Sequence, residues 1–117
     1  MSYVDGFVLP VPKKKIEAYR SLAKKASKVW REHGALDYME CVADDVKPGK
    51  LTSFPLAVQC KEDETVVFSW MTWPSKEVRN AAWEKVMADP RLNSEDNPMP
   101  CDGKRMIYGG FEVMVDL

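Results

Sequence analysis

The chain has 117 residues, the usual size of one domain, with 45% apolar and 30% charged residues, which excludes an intrinsically disordered chain. Its 17 Lys and Arg against 18 Asp and Glu give a net charge of −1, so no basic surplus is available for phosphate contacts and nucleic acid is not an expected partner. The absence of a long apolar run argues against a membrane span, the first five residues lack a signal-peptide layout, and three scattered cysteines, Cys41, Cys60 and Cys101, suit free thiols in a reducing cytoplasm.

Tyr3 to Pro10 reads as a strand, rich in Val4, Phe7, Val8 and Leu9, with Pro10–Val11–Pro12 expected to stop its ladder. From Lys13 to His33 the period changes. Ile16, Tyr19, Leu22, Ala23, Ala26, Val29 and Trp30 recur at steps of three and four, which predicts a helix with one apolar face. Gly34 supplies the left-handed residue that ends it. Ala35 to Val46 alternates as a second strand and runs into the turn signal Lys47–Pro48–Gly49–Lys50. Ser53 can cap a short helical piece through Val58, although Phe54 to Cys60 also reads as a strand. Thr65 to Trp73 is the strongest strand pattern in the chain.

Pro74–Ser75 opens a second long helix, with Ser75 as N-cap and an apolar stripe of Val78, Ala82, Trp83, Val86 and Met87. Leu92 to Lys104 is rich in Asn, Pro, Asp and Gly and reads as a loop. Arg105 to Leu117 is the last strand, in which Gly109–Gly110 marks a bulge or a close backbone approach. The order is strand–helix–strand twice over. Residues 1–117 are therefore expected to form a single α+β domain, a ferredoxin-like βαββαβ fold with a four-stranded antiparallel sheet and helices on one face.

Two helices cover one face of such a sheet and leave the other. Tyr3, Asp5, Phe7 and Leu9 share one parity of the first strand; Tyr38 and Glu40 share one parity of the second; Tyr108 and Glu112 share one parity of the last. These mixed aromatics and carboxylates are expected on the uncovered face. So apolar a face implies an interface or a ligand site, and the economical solution is a homodimer packed sheet to sheet.

Several blocks point the same way. They are Tyr3–Val4–Asp5–Gly6–Phe7–Val8–Leu9–Pro10, Val29–Trp30–Arg31–Glu32–His33–Gly34–Ala35, Glu40–Cys41–Val42–Ala43–Asp44–Asp45, Glu64–Thr65–Val66–Val67–Phe68–Ser69–Trp70 and Asp102–Gly103–Lys104–Arg105–Met106–Ile107–Tyr108–Gly109–Gly110–Phe111–Glu112. Together they resemble the uncharacterised bacterial YbaA-like family, a domain of unknown function placed in the dimeric α+β barrel superfamily. The resemblance spans essentially the whole chain. It implies a ferredoxin-like fold and a barrel-forming dimer, and little about activity. The wider superfamily holds small monooxygenases, haem-degrading enzymes, chlorite dismutases and ligand-binding regulators, an analogy of fold alone.

Asp5, Glu40 and Glu112 are the sharpest candidates: clustered in low dielectric, such carboxylates act as general acid or base or bind a hard cation. The plainer reading, which is favoured, pairs them with Arg105, Lys104 or Arg31 at a dimer seam. His33, in the last turn of the first helix, is expected to cap its carbonyls; the other reading is a proton shuttle. Tyr38 and Tyr108, with Trp70 and Trp73, are candidates to line a pocket, against a plain core role. Cys41 and Cys60 read as small buried hydrophobes and Cys101 as the more exposed thiol. Asp102 and Arg105 are expected to bond across Gly103. One histidine and no paired cysteine motif leave no metal site expected, and no cofactor signature is present. The function expected is a dimeric small-molecule-binding protein with its site on the sheet, either between sheet and helices or within the dimer. The alternatives are a structural or interaction module without a ligand and a cofactor-free, monooxygenase-like enzyme.

Overall fold

A computed structural model describes residues 2–93 and 99–116. Strand β1 spans Tyr3–Pro12, and a 3-10 turn at Lys13–Lys15 leads into helix α1, Ile16–Glu32. Strand β2 (Asp37–Val42), the short helix α2 (Phe54–Ala57), strand β3 (Glu64–Trp73), helix α3 (Lys76–Met87) and strand β4 (Ile107–Glu112) complete the chain. The four strands form one antiparallel sheet in the order β2-β3-β1-β4.

The caps fall where the side-chain chemistry puts them. The Ser53 hydroxyl accepts the Leu56 N–H, so the piece beginning at Phe54 is a helix. The Ser75 hydroxyl accepts the Val78 N–H at the start of α3. At the other end of α1, His33 is the C-cap and Gly34 follows with φ +114°. The Gly34 and Ala35 N–H groups then donate to the carbonyls of Arg31 and Trp30. A methyl group at Gly34 would stand 2.8 Å from Val78 Cγ1, so this glycine also lets α3 approach the end of α1.

Pro10 and Pro12 do not stop β1. Its pairing with β3 continues to Pro12 opposite Glu64, whereas β4 ends opposite Val8. Both prolines thus lie where β1 has lost one neighbour and is locally an edge, the setting in which a missing N–H is tolerated. Gly109 and Gly110 cause no bulge; the register with β1 is continuous. Gly110 is instead a close approach, because the Tyr3 ring lies where a side chain at Gly110 would be. The second and last strands are shorter than the sequence suggested, since alternation persists past the last paired residue, and Leu117 lies outside the described residues.

Helices α1 and α3 cover one face of the sheet, and their tryptophans meet edge to face, Trp30 against Trp83 with ring centres 5.0 Å apart. Two core clusters lie beneath them. One gathers Tyr3, Val29, Trp30, Met71, Trp73 and Val86; the other gathers Leu9, Val11, Tyr19, Ala23 and Val67. Each fully buried side chain of this size contributes about 1.5–3 kcal/mol relative to exposure.

The register corrects the expectation about faces. Asp5 stands opposite Met71, Tyr38 opposite Met71, Glu40 opposite Ser69 and Tyr108 opposite Phe7, all on the side that carries the buried core. Directly opposed residues point to the same side of a sheet. Asp5, Tyr38, Glu40 and Tyr108 therefore face the helices. The uncovered side carries the other parity: Val4, Val8, Met39, Cys41, Phe68, Trp70, Ile107 and Phe111. Only one corner of it is screened, by Phe54 of α2 set edge-on to Phe68 at 6.0 Å. The parity of each strand was readable, but both parities are apolar and a carboxylate was a misleading marker of the wet side.

Candidate functional site

The two carboxylates brought under the helices have different surroundings. Asp5, on the central strand, is fully buried. Its Oδ2 accepts the indole N–H of Trp73 at 2.9 Å and of Trp83 at 3.0 Å. Arg79 of α3 donates through Nη2 to Oδ1 at 2.8 Å and through Nε to both oxygens at 3.1 Å. The guanidinium lies over the rings of Tyr3 and Trp83, 5.4 and 5.2 Å from their centres. Asp5 holds the Arg79 guanidinium firmly protonated, above its already high range. Every strong direction at Asp5 is thus filled by a protein donor. The pairing expected for this carboxylate is real, but its partner is Arg79, not Arg105, Lys104 or Arg31.

Glu40, on the outer strand β2, has no cation among its hydrogen-bond donors. The Tyr19 hydroxyl reaches across from α1 to donate to Oε1 at 2.8 Å, and the Tyr38 hydroxyl, two residues away on the same face, donates to Oε2. The Ser69 hydroxyl, directly opposite on β3, adds a weaker influence that also favours the ionised carboxyl. Burial pushes the Glu40 carboxyl above the usual carboxylate range, and the three hydroxyls only partly oppose that. Burial and the neighbouring carboxylate likewise push both phenols well above their ordinary range, so they remain protonated donors.

Space surrounds this group. An outer cavity of about 320 Å³ lies between the first turns of α1 and strand β2, bounded by Ile16, Arg20, Lys24, Val42 and Val67. An inner cavity of about 310 Å³ continues under α1 toward Trp83, Met87, Met106 and Tyr108. Tyr19, Ala23, Tyr38 and Glu40 line both. The Tyr19–Glu40–Tyr38 bridge therefore stands between two chambers of one groove. Tyr108 closes the inner chamber in a stack with Phe7 and Trp83, ring centres 6.0 Å apart in each pair. A carboxyl displaced toward neutrality in such a groove can accept a hydrogen bond from a bound molecule and exchange a proton nearer to neutral pH than an exposed glutamate does.

The remaining expectations sort themselves. Glu112, opposite Tyr3, has the right parity but is exposed at the edge strand and joins neither carboxylate. His33 sits at the end of α1, where the sequence placed it, and lines neither chamber. Trp70 faces the uncovered side and Trp73 is core. Cys41 is exposed on the uncovered side and Cys60 half-buried, not the buried pair expected. Cys101 is half-buried and packed against the cluster that contains Tyr19; residues 94–98 of the loop expected before it lie outside the described residues. The bond between Arg105 and Asp102 forms at 3.1 Å, and Arg105 also grips Glu64 with two 2.7 Å bonds. Among the described residues no group of three or more His, Cys, Asp or Glu is gathered to hold a metal ion. Sequence reasoning missed Tyr19, Ser69 and Arg79. Tyr19 carries the one available signal, the single hydroxyl on the apolar stripe of α1.

Comparison with known proteins gives a family and no activity. Residues 2–103 match the family described as "Protein of unknown function (DUF1428)". The chain is 56% identical over 116 residues to the "Uncharacterized protein YbaA" of Escherichia coli (strain K12), covering 99% of each chain. The protein of the same description from Shigella flexneri matches to the same extent. Among solved structures, the "De novo designed protein Foldit4" aligns with a TM-score of 0.48 at 10% identity, over 97% of this chain and 99% of that one. The chain belongs to the DUF1428 family.

Proposed function

We propose that this member of the DUF1428 family is a small-molecule-binding protein whose site is the groove between α1 and the sheet. The observation that carries the reading is Glu40. It is a half-buried carboxyl held by hydroxyls alone and flanked on both sides by open volume. A carboxyl needed only for packing would be matched to a cation, as Asp5 is to Arg79. The same group supports a proton-transfer role in a cofactor-free reaction, since its raised pKa suits a general base. A structural module without a ligand is the competing outcome. A thermal-shift panel of aromatic acids, quinones, haem and divalent metals separates the readings. At a hundredfold excess over Kd a ligand adds about 2.7 kcal/mol, which raises Tm by several degrees. A panel in which nothing moves Tm, in the wild type or in Glu40→Gln, supports the structural module.

The element order and the strand order β2-β3-β1-β4 support a ferredoxin-like domain. The uncovered sheet face supports a homodimer. Phe111 is 63% exposed, Met39 53%, Ile107 47% and Phe68 40%, and these side chains stand on neighbouring strands. A second copy packed face to face on a two-fold axis would cover them. Light scattering at micromolar concentration should then give twice the 13.3 kDa chain mass, and Phe68→Glu should return it to the single-chain value. A wild type that runs as a 13.3 kDa particle removes the dimer.

A further inference from the structure

We infer that the groove selects an aromatic acid bearing a hydroxyl group, with its carboxylate at Arg20 and Lys24 and its hydroxyl on Glu40. The inference rests on the groove being a binding site and goes beyond it to the class of ligand.

Three observations specify that class. The outer chamber is asymmetric in charge. Arg20 and Lys24, one turn apart on the exposed flank of α1, both line it, and among the described residues Glu40 is its only acid. The cations are not consumed elsewhere. Lys24 makes no ion pair with a described residue, and Arg20 has only the exposed Glu17 at 3.3 Å, a type of contact that contributes little. Second, a carboxylate offers about four lone-pair positions. Tyr19 and Tyr38 fill two of those at Glu40, one on each oxygen, which leaves room for a donor from a ligand. Third, the inner chamber is walled by flat rings and thioethers, Trp83 and Tyr108 with Met87 and Met106, and among the described residues its only charged lining residue is Glu40. Rings and soft sulfur favour a planar apolar body.

Three probes test this by isothermal titration: 6-hydroxy-2-naphthoic acid, naphthoic acid without the hydroxyl, and naphthol without the carboxylate. The hydroxy acid should bind about tenfold more tightly than naphthol, since a charge-assisted contact is the stronger kind. In the Arg20→Ala/Lys24→Ala double variant, whose two side chains are exposed, that advantage should vanish while naphthol binding is unchanged. In Glu40→Gln, naphthoic acid should be bound as before and the advantage conferred by the hydroxyl should fall. Equal binding of hydroxy acid and naphthol by the wild type overturns the acid preference and leaves the groove standing. Binding of the hydroxy acid that is insensitive to the double variant overturns it as well. If none of the probes binds, the ligand class is overturned, and the groove reading then stands or falls with the broader thermal-shift panel.

Discussion

Asp5 and Glu40 stand on strands of the same sheet beneath the same helical layer, Asp5 fully and Glu40 partly removed from water, yet the fold treats them in opposite ways. Asp5 receives two indole N–H groups and a chelating guanidinium, so its charge is neutralised and every partner is held by core packing. Glu40 receives hydroxyls only, and its burial is left uncompensated by any cation close enough to bond it. The identity of the donor, more than burial itself, decides whether an interior carboxylate is a structural tie or a group with chemistry left over. A guanidinium fixes the ionised form; hydroxyls permit either form.

The largest effect should come from breaking the tie. Asp5→Ala leaves Arg79 charged and two indole N–H groups unpaired, which should cost about 3–5 kcal/mol in urea denaturation. A loss below 1 kcal/mol there would erase the contrast drawn above. Glu64 is a second guanidinium-held carboxylate, and Arg105 keeps its pKa down at about 2. Because the folded pKa is depressed, its stabilisation is fully present above pH 4.5 and fades as pH falls toward 2. Glu64→Gln should cost about 2 kcal/mol at neutral pH and flatten that acid limb. Tyr19→Phe removes one of the two hydroxyls bonded to Glu40 and should cost about 1 kcal/mol, while opening a path between the two chambers. The smallest effect carries the opposite sign to Glu64. With its folded pKa raised, Glu40 contributes stability below pH 4.5 that is lost as pH rises through the folded value. Glu40→Gln should abolish that decline in a Tm-against-pH series. If the two glutamates show the same sign of pH dependence, hydroxyl and guanidinium donors are not distinct in the way proposed.

Much of the architecture was legible. Helix α1 announced itself by the spacing from Ile16 to Trp30, its end by Gly34, and the starts of α2 and α3 by Ser53 and Ser75. Each of these signals is local, acting within one or two turns. Alternation likewise showed that Asp5 shares a side with Tyr3 and Phe7. It could not show which side the helices take, because Val4, Val8, Phe68 and Trp70 are as apolar as their alternates. The site was half legible. Glu40, Tyr38 and Tyr108 were named from strand parity, and all three line the groove. Tyr19 reaches Glu40 only through the packing of α1, Ser69 comes opposite it only through the register of β3, and Arg79 reaches Asp5 across 74 residues. Spacing in sequence carries no trace of such contacts.

The position of β1 at the centre of the sheet has a kinetic consequence. Of the four strands it comes earliest in the chain, yet its neighbours β3 and β4 come from the second half of these 117 residues. Asp5 draws its donors from 68 to 78 residues away. During synthesis the first strand must wait, apolar and unpaired, until Trp73, Arg79 and Trp83 have emerged. Such long closures slow folding, so this small domain should assemble late and all at once rather than growing from its N-terminus. A stopped-flow refolding trace on the slow side for its size, with Asp5 contacts absent from the earliest species, is the expected signature.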